Sequence, residues 1–393
     1  MGNMLNNGFS CVQNCQLLKR CIVKGSVIFG KNSDFIKTTN GKTTPFVVKS
    51  LSETADKFHE IDSTSHTLNF VGGRIFYDIA CFHSLAGNKE SALHYLGLAV
   101  HYGYNDYVHM KKDSDLLSLH GKKQFDALVL EARKTGDKLY ILQQTASYDK
   151  AEKAGESFTY EATTDSNLTR VREYFHLDSI AGNGDEISRI KNIMYWLHDQ
   201  IRHDGSGGFP QNCSRNSIDL YKACKAQNRG LNCRGLAIVL SELYLSMGWP
   251  ARFVTCQSKA YDTDGDCHVI DMVWSRTLNK WIWMDPSFAA YVTDENGLLL
   301  HPGEVRQRLI DGRPLILNED ANWNHKNKQT KEDYLENYMA KNLYLMSAHL
   351  WNGYQTEGGK SKSPTMTLTP KGFWYKWDLT TANDDYFWQK PNM

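Results

Sequence analysis

Arg229-Gly230-Leu231-Asn232-Cys233 runs into residues 234–247, and Gly248-Trp249-Pro250 stops the run. Leu236, Leu240, Leu243 and Met247 recur at three- and four-residue intervals, with Ala237 and Tyr244 beside them. That spacing predicts a helix with a buried face. Asn232 is a favoured N-cap residue, so Cys233 falls in the first turn. Unpaired backbone N–H groups there favour an anion and lower a thiol's pKa. The same donors suit an oxyanion. Taken alone, a cysteine at the start of a core helix is more often a small buried residue. Its partners decide the matter.

Downstream, residues 251–256 read as a strand and 259–266 as a polar loop. His268-Val-Ile-Asp-Met-Val-Trp274 and Lys280-Trp-Ile-Trp-Met-Asp285-Pro286 then read as a strand pair around 275–279. Side chains alternate across a strand, so His268, Ile270 and Met272 share a face, as do Trp281, Trp283 and Asp285. A two-residue turn at Arg276-Thr277 sets His268 opposite Asp285. Moving the turn by one residue, with a two- or four-residue loop, leaves them near neighbours on one face. Pro286 ends the strand and places the carboxylate at the end of the sheet. Asp285 can then accept from one imidazole nitrogen while the other faces Cys233. Singly, an Asp before Pro is a common turn starter and a strand histidine is unremarkable in function. In the order helix start, strand, strand, Cys233, His268 and Asp285 are the candidate catalytic residues.

Residues 185–286 resemble the core of the transglutaminase-like superfamily, a set of papain-fold thiol enzymes. In that family a Cys opens a helix containing a following Ala, then come a Gly-hydrophobic-Pro-Ala-Arg turn and a strand. A His begins the next strand and an Asp-Pro ends the one after. This chain has Cys233 with Ala237, Gly248-Trp249-Pro250-Ala251-Arg252, His268 and Trp283-Met-Asp285-Pro286 in that order. It departs from the pattern at Ile270 and Met272, where the family often has an aromatic residue and an acid. The resemblance covers about a quarter of the chain. It implies an α+β fold with a papain/transglutaminase-like core, a nucleophilic Cys233, a base in His268 and its orienter in Asp285. The reaction implied is amide chemistry through a thioacyl intermediate, foremost hydrolysis of peptide or peptide-like bonds in a peptide or protein substrate. Acyl transfer that cross-links proteins and an inactive binding module are the alternatives. No cofactor is implied.

Upstream of this core, residues 185–201 read as a helix with Ile187, Ile190, Met194, Leu197 and Ile201 on its apolar side, and 217–226 as a shorter one. Residues 1–55 show no clear periodicity. From residue 56 the pattern turns helical: Ile75, Ile79 and Phe82 recur before Gly87, and Asn88 is placed to cap a helix with Ala92, Tyr95, Leu96 and Ala99 on one face. Residues 77–96 resemble a tetratricopeptide repeat, and 113–125 its closing helix. An isolated repeat relies on a neighbour to bury its face, which implies packing or a protein partner. After a β-prone run at 139–144, a Glu/Lys/Gly-rich passage marks a boundary. The expected division is 1–55 unassigned, 56–150 an N-terminal α-helical repeat-like module, and 151–393 the thiol-enzyme domain.

The chain of 393 residues carries 45 Lys and Arg against 44 Asp and Glu. With that balance no global field steers it to nucleic acid or anionic membrane, and no apolar run is long enough to span a bilayer. Residues 1–10 are polar and lack the order of a signal peptide, and Asn6 stands where a myristoylation signal wants a hydroxyl. As written this reads as cytoplasmic, and as extracytoplasmic if the true start lies upstream. Nine cysteines are neither dense nor even enough for a disulfide scaffold. Cys11, Cys15 and Cys21 match no zinc spacing, and Asp262-Thr-Asp-Gly-Asp266 lacks the closing Glu of a calcium loop, so no metal site is expected. The aromatic tail, Phe373-Trp-Tyr-Lys-Trp377 and Tyr386-Phe-Trp388, is expected to pack on the domain rather than line a groove.

Overall fold

The computed structural model describes residues 69–358, 363–376 and 379–392. The expectations for residues 1–55, Cys11, Cys15 and Cys21 among them, lie outside that range. The described residues form two compact units, divided between residues 136 and 137.

The first unit is helical. α1 (Asn69–Leu85) and α2 (Lys89–His101) follow each other across a short turn. Ile79, Phe82, Ala92, Tyr95, Leu96 and Ala99 are all buried, on the faces their spacing predicts. Asn88 stands before α2 but makes no side-chain capping bond. Asp113 holds the next segment instead: it accepts from the Tyr77 hydroxyl at 2.7 Å and, at 3.0 Å, from the Asp115 N–H that opens the 3-10 turn Ser114–Leu119. α3 (Lys123–Gly136) closes the unit.

In the second unit, the run at 139–144 that β propensity assigns to a strand is instead the helix α4 (Lys138–Gln143). Asp137 caps it by accepting from the Tyr140 N–H at 2.9 Å, and Leu142 is buried in the core of this unit. A side-chain cap and tertiary burial outweigh a weak strand preference. α5 (Ser166–Phe175), α6 (Glu186–Gln200) and α7 (Ser217–Gln227) surround α8 (Cys233–Ser246). Asp185, Asn216 and Asn232 cap α6, α7 and α8, accepting from the Ser188, Asp219 and Gly235 N–H groups at 2.8 to 2.9 Å. Every residue of α8 from Gly235 to Ser246 is buried. The one-sided stripe seen in the sequence is therefore only part of it: Ile238, Val239 and Leu245 are covered too. A helix apolar all round is a central one.

The other side of α8 lies on a six-stranded sheet. Its strands are β1 (Ala251–Gln257), β2 (Cys267–Ser275), β3 (Lys280–Met284), β4 (Leu345–His349), β5 (Thr365–Leu368) and β6 (Leu379–Thr381), ordered β6-β5-β4-β1-β2-β3. All neighbours are antiparallel except β5 and β6. The sheet separates two cores. Val269, Val273, Ile282 and Met284 join α8, while Ile270, Met272, Trp274, Trp281 and Trp283 join the opposite layer. Strand alternation thus sorts the β2–β3 side chains as the sequence predicts.

Arg252, fully buried on β1, anchors the C-terminal segment in that opposite layer. Its guanidinium lies 3.9 Å from the Phe158 ring centroid and near Trp281 and Phe387, and it donates to the Phe387 carbonyl. Tyr386, Phe387 and Tyr375 are buried and Trp388 partly so, whereas Trp374 is 74% exposed, so the tail packs through most but not all of its aromatic residues. Nε and Nη1 of Arg252 have no partner, and burial lowers its pKa. Arg252→Ala is expected to cost on the order of 3 kcal/mol, through lost packing as well as the lost bond. Arg252→Met fills the volume without burying a charge and is expected to cost only about 1 kcal/mol. Urea unfolding midpoints of the two variants check this ordering.

Candidate active site

Cys233 is the first residue of α8, half-buried, with Sγ 4.0 Å from the Cys267 carbonyl oxygen. Burial pushes its thiol up. Hydrogen bonds with His203 and His268, the charge of His268 and the Val269 N–H outweigh that and bring the pKa down to about 6. The other cysteines of the described residues go the opposite way. Burial raises Cys81, Cys213, Cys256 and Cys267, and takes Cys224 up to about 11. Cys233 alone among them has the character of a thiolate at neutral pH.

His268 and Asp285 are both buried completely, and the imidazole Nε2–H donates to Asp285 Oδ2 at 2.7 Å. The loop between β2 and β3 is four residues long, with Ser275 paired to Lys280 and Asp271 to Met284. This register carries Asp285 past β3 two residues out of line with His268 rather than directly opposite. Parity is kept, so the two side chains still share a face and meet diagonally. Asp285 also starts a turn, as an Asp before Pro does, because its Oδ1 accepts from the Ser287 N–H at 2.8 Å. Its two oxygens serve both purposes. Tyr334, in the wide-turned helix α10 that follows α9 (Pro302–Asp311) and spans Glu332–Met339, donates its hydroxyl to Oδ2 at 2.5 Å.

Electrostatics follow from these contacts. Burial works against charge on both groups, but the Asp285 carboxylate holds the imidazole well above its ordinary range. In return the charge and hydrogen bond of His268, then Tyr334 and the Ser287 N–H, hold Asp285 below the usual carboxylate range. The other ring nitrogen, Nδ1, is buried with no nitrogen or oxygen partner. Phe288 and Tyr338 flank the ring at 5.5 and 5.2 Å between centroids. An imidazole fixed by a carboxylate at one nitrogen, with only a lowered thiol at the other, can exchange a proton with that sulfur and with whatever is bound there.

Sequence reading did not single out Tyr334 or His203. Tyr334 lies 49 residues beyond Asp285 and carries no local signal for its contact. The acidic loop has partners of its own: Asp264 and Asp266 meet Lys341 at 3.2 and 2.6 Å, and Asp262 faces Lys376. Among the described residues, no group of three or more His, Cys, Asp and Glu is placed to hold a metal ion, and no helix is long and apolar enough to cross a membrane. A cavity of about 480 Å³ lies on the α8 side of the sheet beyond the helix, bounded by Arg234, Thr255, Gln257, His349 and Glu357. Arg234 and Arg215 both donate to Glu357, and the hydrogen bond with His349, then the charge and hydrogen bond of Arg234, hold that carboxylate down to about 2 against the effect of burial.

Residues 175–286 match the Transglutaminase-like superfamily, so this part of the chain is similar to a transglutaminase-like domain. Its α+β architecture, a helical layer packed on an antiparallel sheet, carries Cys233, His268 and Asp285 within that stretch or at its edge. The chain is similar in structure to a Cytophaga hutchinsonii protein named "Putative Cysteine Protease", at 16% identity and a TM-score of 0.24 over 38% of this chain. It spans about half, 48%, of that protein's length. No curated protein matches the sequence.

At pH 7 iodoacetamide is expected to label Cys233 before Cys81, Cys213, Cys224, Cys256 and Cys267, as mass spectrometry after limited alkylation would read. The rate at Cys233 should rise with pH through a midpoint near 6, where the thiol ionises. Asp285→Asn removes the charge that sustains the imidazolium, so the midpoint should move upward.

Proposed function

We propose that Cys233, His268 and Asp285 act as nucleophile, base and orienter in the hydrolysis of peptide or peptide-like amide bonds. The observation that carries this reading is the His268 ring, bound to Asp285 through Nε2 and left with a buried Nδ1 that has no nitrogen or oxygen partner and meets only the thiol at a helix start. The Cys233 thiolate attacks the amide carbonyl, and the carbonyl electron pair moves onto oxygen. Backbone N–H groups at the start of α8 favour that negative charge. Nδ1–H of His268 then protonates the departing amine, the C–N bond breaks and a thioester remains. The neutral imidazole next takes a proton from water, whose oxygen attacks the thioester and releases the acid and the thiolate. Asp285 keeps the ring in the tautomer and orientation both steps need.

The cavity beside Arg234 offers a polar surface for part of the substrate chain. The repeat-like hairpin of the first unit supports a second role, recruitment of a protein partner. Leu85, Leu117 and Leu130 of that unit are exposed apolar side chains suited to it.

Cys233→Ala is expected to abolish turnover on a panel of peptide amides while stability changes by no more than about 1 kcal/mol. Asp285→Asn should lower kcat/KM about ten- to a thousandfold, less than in serine enzymes, because Cys-His-Asn sites work with a neutral orienter. Turnover retained in Cys233→Ala would remove the nucleophile assignment. Amine incorporation in place of acid release would turn the reading to cross-linking transfer.

A further inference from the structure

His203 stands 30 residues before the thiol in sequence and beside it in space. Residues 202–204 run parallel to the segment that leads into α8. His203 bridges Leu231, the Leu231 N–H donates to the Arg202 carbonyl at 3.2 Å, and the Asp204 N–H donates to the Leu231 carbonyl at 2.7 Å. The approach is so close that a Cβ on residue 230 would lie 2.4 Å from the Arg202 oxygen, and Gly230 is what permits it. The segment is clamped from the other side as well. Asn324 accepts from the His203 N–H at 2.7 Å and donates to the His203 carbonyl at 2.9 Å.

The ring is fixed along with the backbone. The Trp323 indole Nε1–H donates to His203 Nδ1 at 2.9 Å. An indole nitrogen only donates, so Nδ1 must present its lone pair and the ring proton sits on Nε2. Trp323 and Asn324 reach His203 from one tight hairpin, whose turn residues Asn324 and His325 take positive φ angles of 54° and 56°. The ring remains partly exposed, and His203 is one of the two histidines that lower the Cys233 thiol. Phe288 packs against both imidazoles, His203 at 6.3 Å and His268 at 5.5 Å between centroids.

The two histidines are therefore dressed for opposite tasks. His268 has a carboxylate on one nitrogen and only the thiol on the other, the setting of a group that gives and takes a proton. His203 has an N–H donor on one nitrogen, so its other nitrogen is a fixed donor and is not free to act as a base.

We propose that His203, held as the Nε2–H tautomer by Trp323, donates a hydrogen bond to the oxyanion that forms when the Cys233 sulfur adds to a carbonyl. This rests on the thiol reading above and supplies the side-chain oxyanion donor for it. In the resting site the same N–H faces the thiolate. When the C–S bond forms, the sulfur loses its charge to the carbonyl oxygen and the donor follows the charge. Trp323 acts as a positioning residue.

Two reagents separate this role from an effect on the thiol. p-Nitrophenyl acetate acylates sulfur through a tetrahedral oxyanion that expels p-nitrophenolate. Iodoacetamide alkylates sulfur by displacing iodide, with no oxyanion. Rates with both are measured against pH for the wild type, His203→Ala, His203→Gln and Trp323→Phe, with Cys233→Ala as background. On the plateau above the thiol midpoint, His203→Ala should lower acylation about a hundredfold and change alkylation less than about threefold. Both midpoints should rise, because the thiolate loses a donor. His203→Gln should recover part of the acylation through its amide N–H. Trp323→Phe, which leaves His203 in place but frees its tautomer, should lower acylation alone by a smaller factor. An unchanged acylation plateau in His203→Ala overturns the proposal, as does an equal fall on both plateaus. If the wild type reacts with neither reagent above the Cys233→Ala background, the thiol reading itself fails and this inference falls with it.

Discussion

The contact between His268 and Asp285 sits at zero exposure, and much of the second unit is arranged to keep it there. Taking an imidazolium and a carboxylate out of water costs several kcal/mol per ion. The short contact offsets part of that cost, and the remaining lone pairs of Asp285 must be satisfied by neighbours. Tyr334 and the Ser287 N–H do this from two directions, one from a distant helix and one from the turn Asp285 itself begins. Without them the carboxylate would be a buried charge with open valences. The contact also fixes register: sliding β3 by one residue along β2 would turn Asp285 to the α8 face and away from the ring.

A second constraint concerns the sides of the sheet. α8 and the odd-numbered residues of β2 share one core, whereas His268 and the even-numbered residues face the other. A thiol on α8 and an imidazole on the far face can meet only at a strand end, where the sheet no longer separates them. Cys233 is the first residue of its helix, and His268 is the second of its strand. The Cys267 carbonyl and the Val269 N–H that touch the sulfur are the backbone at that end of β2. Helix start and strand start thus coincide in space because both elements begin at one end of the layer. Burial of α8 from Gly235 to Ser246 makes that position stiff, since the body of the helix has no side free to tilt into solvent.

Polar groups around the site divide by what they have been given to bond. The acidic loop 262–266 is matched to Lys341 and Lys376, and Glu357 to two arginines. These carboxylates are neutralised locally. His268 Nδ1 differs: it has no nitrogen or oxygen partner and meets only the Cys233 thiol.

The sequence alone determined the local pieces: Asn232 as the cap that puts Cys233 in the first turn, the β2–β3 alternation that puts His268 and Asp285 on one face, and the stop at Pro286. Each rests on short-range geometry of a helix end or a pleated strand, which a few neighbouring residues dictate. Tertiary structure decided the rest. It made residues 138–143 a helix against their β propensity, because a cap and a buried Leu142 outweigh it. It wrapped α8 on all sides, where periodicity showed only one. It also brought Tyr334 to Asp285 across 49 residues and Trp323 to His203 across 120, pairings that follow no sequence period. Such contacts exist only once separate elements share a core, because their geometry is set by packing and not by the chain that joins them.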